Sequence, residues 1–187
     1  MASKLRLALI QMSVGDNKAK NIARAVQLIR EAAGGGAQLV ALPECFNSPY
    51  GTNYFHQYAE TIPGESTEAL STVAKKFGLY IVGGSIPERD EDKVYNTCTV
   101  WGPQGDMIAK YRKIYIGTIS PARDTSAKYI AWGHSSVINP WGEVIATSEE
   151  YEAIIYGDVD LDYVEKVRQM IPLRDQRRND LYEINIK

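Results

Sequence analysis

The chain has 187 residues, 44% hydrophobic and 24% charged, which is enough apolar material to bury a core unaided and too much for a wholly disordered chain. Lys and Arg number 21 against 23 Asp and Glu, a net charge of −2, which weighs against nucleic acid or an anionic membrane as a general partner. The two cysteines, Cys45 and Cys98, exclude a disulfide framework and a four-cysteine zinc site, and they fit a reducing compartment.

The first apolar run, residues 5–11, is too short for a secretory signal, and no run approaches the length of a membrane span. A cytoplasmic protein is therefore expected. Residues 5–11 read as a buried strand. Residues 17–33 carry Ile22, Ala25, Val26, Ile29 and Ala32 at helical spacing, with Asp16 or Asn17 as the cap and Gly34-Gly35-Gly36 as the stop. Residues 38–42 form a second apolar run that ends at Pro43. Strand, helix, strand is the opening of an α/β unit with parallel strands.

The pattern continues with a helix over 67–77, capped by Ser66 or Thr67, that turns Leu70, Val73, Ala74 and Phe77 inward. A strand follows over 79–83. Residues 94–101 and 107–111 flank Gly102-Pro103-Gln104-Gly105 and read as a hairpin. Further strands are expected near 129–138, 143–146 and 153–158, the first two around the turn Asn139-Pro140-Trp141-Gly142, and a helix over 161–170. One stretch fits badly. Between Lys113 and Lys128 the chain passes from one hairpin to the next without the crossover helix that a parallel neighbour requires.

Glu44 follows the strand end Leu42-Pro43, where α/β sheets place their ligand sites. It reads either as a carboxylate for proton transfer or as a solvated loop acid. Cys45 reads either as a thiol nucleophile or as a buried free thiol. Neighbouring residues of an extended chain point to opposite sides, so Glu44 and Cys45 are not expected to share a site. Cys98 lies mid-strand and reads as core. Lys113 closes Lys110-Tyr-Arg-Lys113 and is either an oxyanion-stabilising charge or a solvated strand end. His134, expected inside a strand, reads as a structural histidine bonded to its neighbours. Two histidines without metal-ligand spacing predict no zinc site, and no glycine-rich phosphate loop is present. The arginines Arg168, Arg174, Arg177 and Arg178 read as a solvated face or as an anion or subunit contact.

The motifs together resemble the nitrilase superfamily of carbon–nitrogen hydrolases, in its omega-amidase branch. They are Ala8-Leu-Ile-Gln11, Leu42-Pro-Glu-Cys-Phe-Asn-Ser-Pro-Tyr-Gly51, Ile62-Pro-Gly-Glu65, Gly83-Gly-Ser-Ile-Pro-Glu88, Tyr95-Asn-Thr97, Lys110-Tyr-Arg-Lys113, Ser120-Pro-Ala-Arg123, Trp132-Gly-His-Ser135, Asn139-Pro-Trp-Gly142 and Arg177-Arg-x-Asp-Leu-Tyr182. They cover nearly the whole chain, in family order. The resemblance implies an α/β fold, an α-β-β-α sandwich that pairs into dimers and higher oligomers. It implies Glu44 as general base, Lys113 as proton donor and oxyanion stabiliser, and Tyr50 in a substrate-binding loop. It implies no cofactor, and as substrate a small dicarboxylate monoamide such as 2-oxoglutaramate or 2-oxosuccinamate, hydrolysed to the 2-oxo dicarboxylate and ammonia through a thioester.

One departure is large. The cysteine of the family's Cys-Tyr-Asp-type motif has no counterpart, and Cys45 and Cys98 fall at non-catalytic positions. The match skips a central block after Lys113 and resumes at about 115–120. Residues 1–187 are therefore expected to form a single carbon–nitrogen hydrolase domain with a deletion seam near 113–120. Its sandwich would be incomplete, lacking central strands and helices. The chain is then expected to be inactive alone, or to serve as a non-catalytic truncated subunit that pairs with full-length copies.

Overall fold

The computed structural model describes residues 4–111, 119–138, 143–160 and 162. Strand β1, Lys4–Gln11, leads into helix α1, Lys18–Gly34, and returns as β2, Leu39–Ala41, parallel to β1. Asn17 caps α1, its side chain accepting from the Lys20 N–H at 2.9 Å. The α1 stripe Ile22, Ala25, Leu28, Ile29 and Ala32 is buried as its spacing requires.

Two short helices follow β2, a 3₁₀ turn at Thr52–Tyr54 and α2 at Phe55–Tyr58. Helix α3, Glu65–Phe77, then carries the chain to β3, Tyr80–Val82, parallel to β2. The expected cap of α3 is corrected. The helix begins at Glu65, and the Thr67 hydroxyl reaches back to accept from the Gly64 N–H at 2.8 Å, half of a capping box.

The chain next forms β4, Ile86–Asp90, β5, Lys93–Trp101, and β6, Met107–Tyr111. The last strands are β7, Ser136–Ile138, β8, Val144–Thr147, and β9, Ala153–Asp160. The main sheet has the order β4-β5-β3-β2-β1-β9, with β6 also on β5, and β9 runs antiparallel to β1 from Lys4↔Asp160 to Gln11↔Ala153. Strand β4 escaped the sequence reading. Its Pro87 and charged neighbours conceal it, and it sits at the end of the sheet order, where proline is tolerated.

Alternation along the strands sorts the core into two faces. Ala8, Ile10, Val40, Leu42 and Ile81 pack beneath α1 and α3. Leu9, Ala41 and Ile155 point the other way and meet Val137 of β7, with Leu7, Val82, Ile119 and Ala146 around them. Among the described residues, strands β7 and β8 pair only with each other. The described layers are thus helices, a seven-stranded sheet and a two-stranded sheet, an α/β sandwich whose second sheet is small among the described residues.

Two expectations fail locally. The strand forecast over 129–138 is confined to Ser136–Ile138, because Gly133 and His134 take left-handed φ values of 75° and 58° that a strand cannot continue. Cys98 lies in β5 but alternates with buried Thr97 and Thr99 and is only half-buried. Lys113, the 139–142 turn, Arg168, Arg174, Arg177, Arg178 and all of the forecast helix 161–170 but Asp162 lie outside the described residues.

Candidate active site

The loop after β2 is built to present Glu44. Leu42 extends the sheet by donating to the Val82 carbonyl at 3.0 Å. Residues 44–47 then turn sharply, and Cys45 adopts a φ of 54°. Ser85, just ahead of β4, clasps the turn. Its Oγ accepts from the Cys45 N–H at 3.1 Å and its carbonyl from the Phe46 N–H at 3.3 Å. Phe46, 1% exposed, anchors the turn in the core. Gly84 makes the contact possible: its φ is 58°, and a Cβ there would stand 2.0 Å from the Pro43 carbonyl oxygen.

Both carboxylate oxygens of Glu44 are held. Oε2 accepts from the Tyr50 hydroxyl at 2.7 Å, and Oε1 accepts from Asn96 Nδ2 of β5 at 2.6 Å. The Tyr50 ring stacks on Tyr129 with centroids 4.5 Å apart. Burial, then the Glu44 carboxylate, pushes the Tyr50 phenol well above the usual tyrosine range.

Two clefts open on this group. The larger, about 620 Å³, is lined by Glu44, Cys45, Tyr50 and the 121–129 loop. The smaller, about 320 Å³, is lined by Glu44, Tyr50, Tyr129, Ser120, Trp132 and His134. The loop that carries Gly133 and His134 into the smaller cleft is fixed by Gln11, which is fully buried. Its Oε1 accepts from Ser135 N, Ser135 Oγ and Ser148 Oγ at 3.1, 2.7 and 2.9 Å. Its Nε2 donates to the carbonyls of Glu149 and Tyr151. Ser135 Oγ in turn accepts from Ser120 N at 3.0 Å, and Ser120 Oγ from Gly133 N at 3.1 Å.

Glu44 and Tyr50 lie together at the clefts. Cys45 shares the larger cleft with Glu44, because the backbone turns at Cys45 and is not extended. Its thiol is nonetheless 2% exposed, and burial followed by the charge of Glu44 pushes it up from 9.0 to about 12. At neutral pH it is a protonated, unreactive thiol. His134 bonds its neighbour as expected, Nδ1 lying 2.9 Å from the Trp132 carbonyl, but it stands in a loop at the cleft. His56 lies elsewhere, its carbonyl accepting from Arg89 at 2.8 Å. Asn96 and Gln11 are the site residues that sequence reasoning missed. Their motifs, Tyr95-Asn-Thr97 and Ala8-Leu-Ile-Gln11, were legible, but their partners lie 52 and 124 residues away.

The carbon–nitrogen hydrolase family model matches residues 6–126 and 116–169. The omega-amidase NIT2 of Danio rerio is 41% identical over 271 aligned residues, covering 98% of this chain and 98% of the relative. The chain belongs to the carbon–nitrogen hydrolase family. The Homo sapiens omega-amidase NIT2 aligns at 39% over 273 residues, covering 99% of both chains. The crystal structure of Nit3 from Saccharomyces cerevisiae, a member of branch 10 of the nitrilase superfamily, superposes with a TM-score of 0.84 at 29% identity, covering 95% of this chain and 100% of that one. As a carbon–nitrogen hydrolase, this chain is short. Its alignment with the Danio rerio relative runs to 271 positions against its own 187 residues while nearly spanning both chains. The relative's surplus therefore falls inside the aligned region.

Proposed function

We propose that this chain carries the proton-handling part of an omega-amidase site and lacks the attacking sulfur. In the complete reaction a cysteine sulfur, its proton passing to Glu44, attacks the carbonyl carbon of a dicarboxylate monoamide. The C–N bond breaks, and ammonia leaves with a proton supplied by Lys113, which recovers one from Glu44. Water, its proton drawn off by Glu44, then cleaves the thioester, and that proton returns to the sulfur to regenerate the thiol. Lys113 also offers positive charge to the tetrahedral oxyanion, and Tyr50 contributes to the substrate pocket. A soluble cytoplasmic setting and a 2-oxo dicarboxylate monoamide belong to the same reading.

One observation carries the proposal. The only cysteine at the clefts, Cys45, is buried and held protonated to about pH 12. The other, Cys98, lines neither cleft. An internal deletion near 113–120 accounts for the missing sulfur. It is supported by the alignment, longer than the chain itself, and by a family match in two pieces that overlap over 116–126. Removing the nucleophile from such a set costs several orders of magnitude, which the remaining members do not restore.

The test is ammonia release from 2-oxoglutaramate by the purified chain. Release at the level of the buffer blank, unchanged by Glu44→Gln, is expected. Release above the blank that Glu44→Gln abolishes would overturn the reading. A second reading, a truncated subunit that pairs with full-length copies, is supported by Ile138, Val144 and Ile145. These are 48%, 59% and 49% exposed on the small sheet. Sedimentation of this chain mixed with a full-length relative tests it.

A further inference from the structure

Among the described residues, Asn96 is the one donor on Glu44 that comes from outside the loop bearing Glu44 and Tyr50. It sits in β5, opposite Pro87 of β4, and its Nδ2 meets Glu44 Oε1 at 2.6 Å. The next residue, Thr97, points to the other side and donates to Glu88 Oε2 at 2.6 Å. Asn96 therefore ties the candidate base to the rigid sheet, whereas Tyr50 ties it only to its own loop. The amide can face Glu44 in one way only. Rotated by half a turn, Oδ1 would oppose a carboxylate oxygen.

The chosen orientation has a cost. Asn96 Oδ1 is buried and finds no hydrogen-bond partner among the described residues, and an orphaned buried acceptor destabilises a fold. A stability-optimised strand would carry a residue without that acceptor. The cost makes sense if the donor on Glu44 is what the position supplies.

We infer that Asn96 is a positioning residue, which holds the Glu44 carboxylate in one rotamer with Oε2 turned to Tyr50. The inference rests on the reading of Glu44 as the base, but its test reads geometry and not turnover, so the two fail separately.

The test uses the full chain with 3-fluorotyrosine at position 50, whose phenol reports on the Glu44 hydrogen bond. The titratable groups facing that phenol are Glu44, Tyr129 and Cys45. Its fluorine resonance is followed through alkaline titration in the otherwise unaltered chain and in Asn96→Leu and Asn96→Ser. With Asn96 removed, Glu44 swings away from Tyr50, and the phenol ionises at lower pH while far-ultraviolet circular dichroism stays the same. A folded variant whose titration is unchanged would overturn the inference. Should both variants unfold, the side-chain amide proton resonances of Asn96 decide it in Glu44→Gln. Loss of the carboxylate moves them upfield if the bond is as described, and no movement overturns it.

Discussion

Gln11 and Ser135 lie 124 residues apart in sequence and share two hydrogen bonds, from Ser135 N and from Ser135 Oγ, to one buried amide oxygen. That amide joins the end of β1 to the loop that carries Gly133 and His134 into the smaller cleft. Replacing Gln11 by Leu strands the Ser135 and Ser148 donors and two carbonyls in the interior. The expected loss is at least about 3 kcal/mol by urea denaturation. Hydrogen exchange should show β7, β8 and residues 119–135 losing protection before β1, β2 and β3.

The two thiols should differ in reactivity. Burial raises both above the usual range, but Cys45 is 2% exposed and Cys98 is half-buried. Iodoacetamide at pH 8 should modify Cys98 first, with Cys45 modified only as fast as the chain opens. Peptide mass spectrometry of timed samples checks the order.

Alkaline stability follows from the same thiol. Cys45 rises from 9.0 to about 12 on folding, so between these values the folded chain binds a proton that the unfolded chain has lost. Its contribution is whole below pH 9.0 and fades as pH climbs toward about 12. Cys45→Ala should flatten that part of the stability profile above pH 9, measured by urea midpoints at successive pH values.

Gly84 is expected to accept no side chain. Alanine there must adopt a φ of 58° and displace the Pro43 carbonyl, which a Cβ would approach to 2.0 Å. Gly84→Ala should cost about 3 kcal/mol and move the turn that carries Glu44. Thermal denaturation gives the first quantity. The Tyr50–Tyr129 stack, followed by near-ultraviolet circular dichroism, reports the second.

What the sequence revealed depended on how local the determining contacts were. The stripe of α1 and the alternation of β1 specify their own burial, so both elements and the parallel β1–β2 pairing were readable from spacing. Strand β4 was not, because its identity comes from pairing with β5 and not from Ile-Pro-Glu-Arg-Asp itself. Glu44 was visible from its place after a strand. The neighbourhood of Cys45 was misjudged because a left-handed non-glycine residue has no signature in composition. Asn96 and Gln11 act through partners distant in the chain, which periodicity does not encode.

Whether a sulfur of this chain can attack beside Glu44 is decided by intact-protein mass spectrometry after acid quench during incubation with 2-oxoglutaramate. A single species at the mass of the unmodified chain is expected. An added acyl group, mapped to Cys45 or Cys98 and absent in Glu44→Gln, would mean that a sulfur does attack.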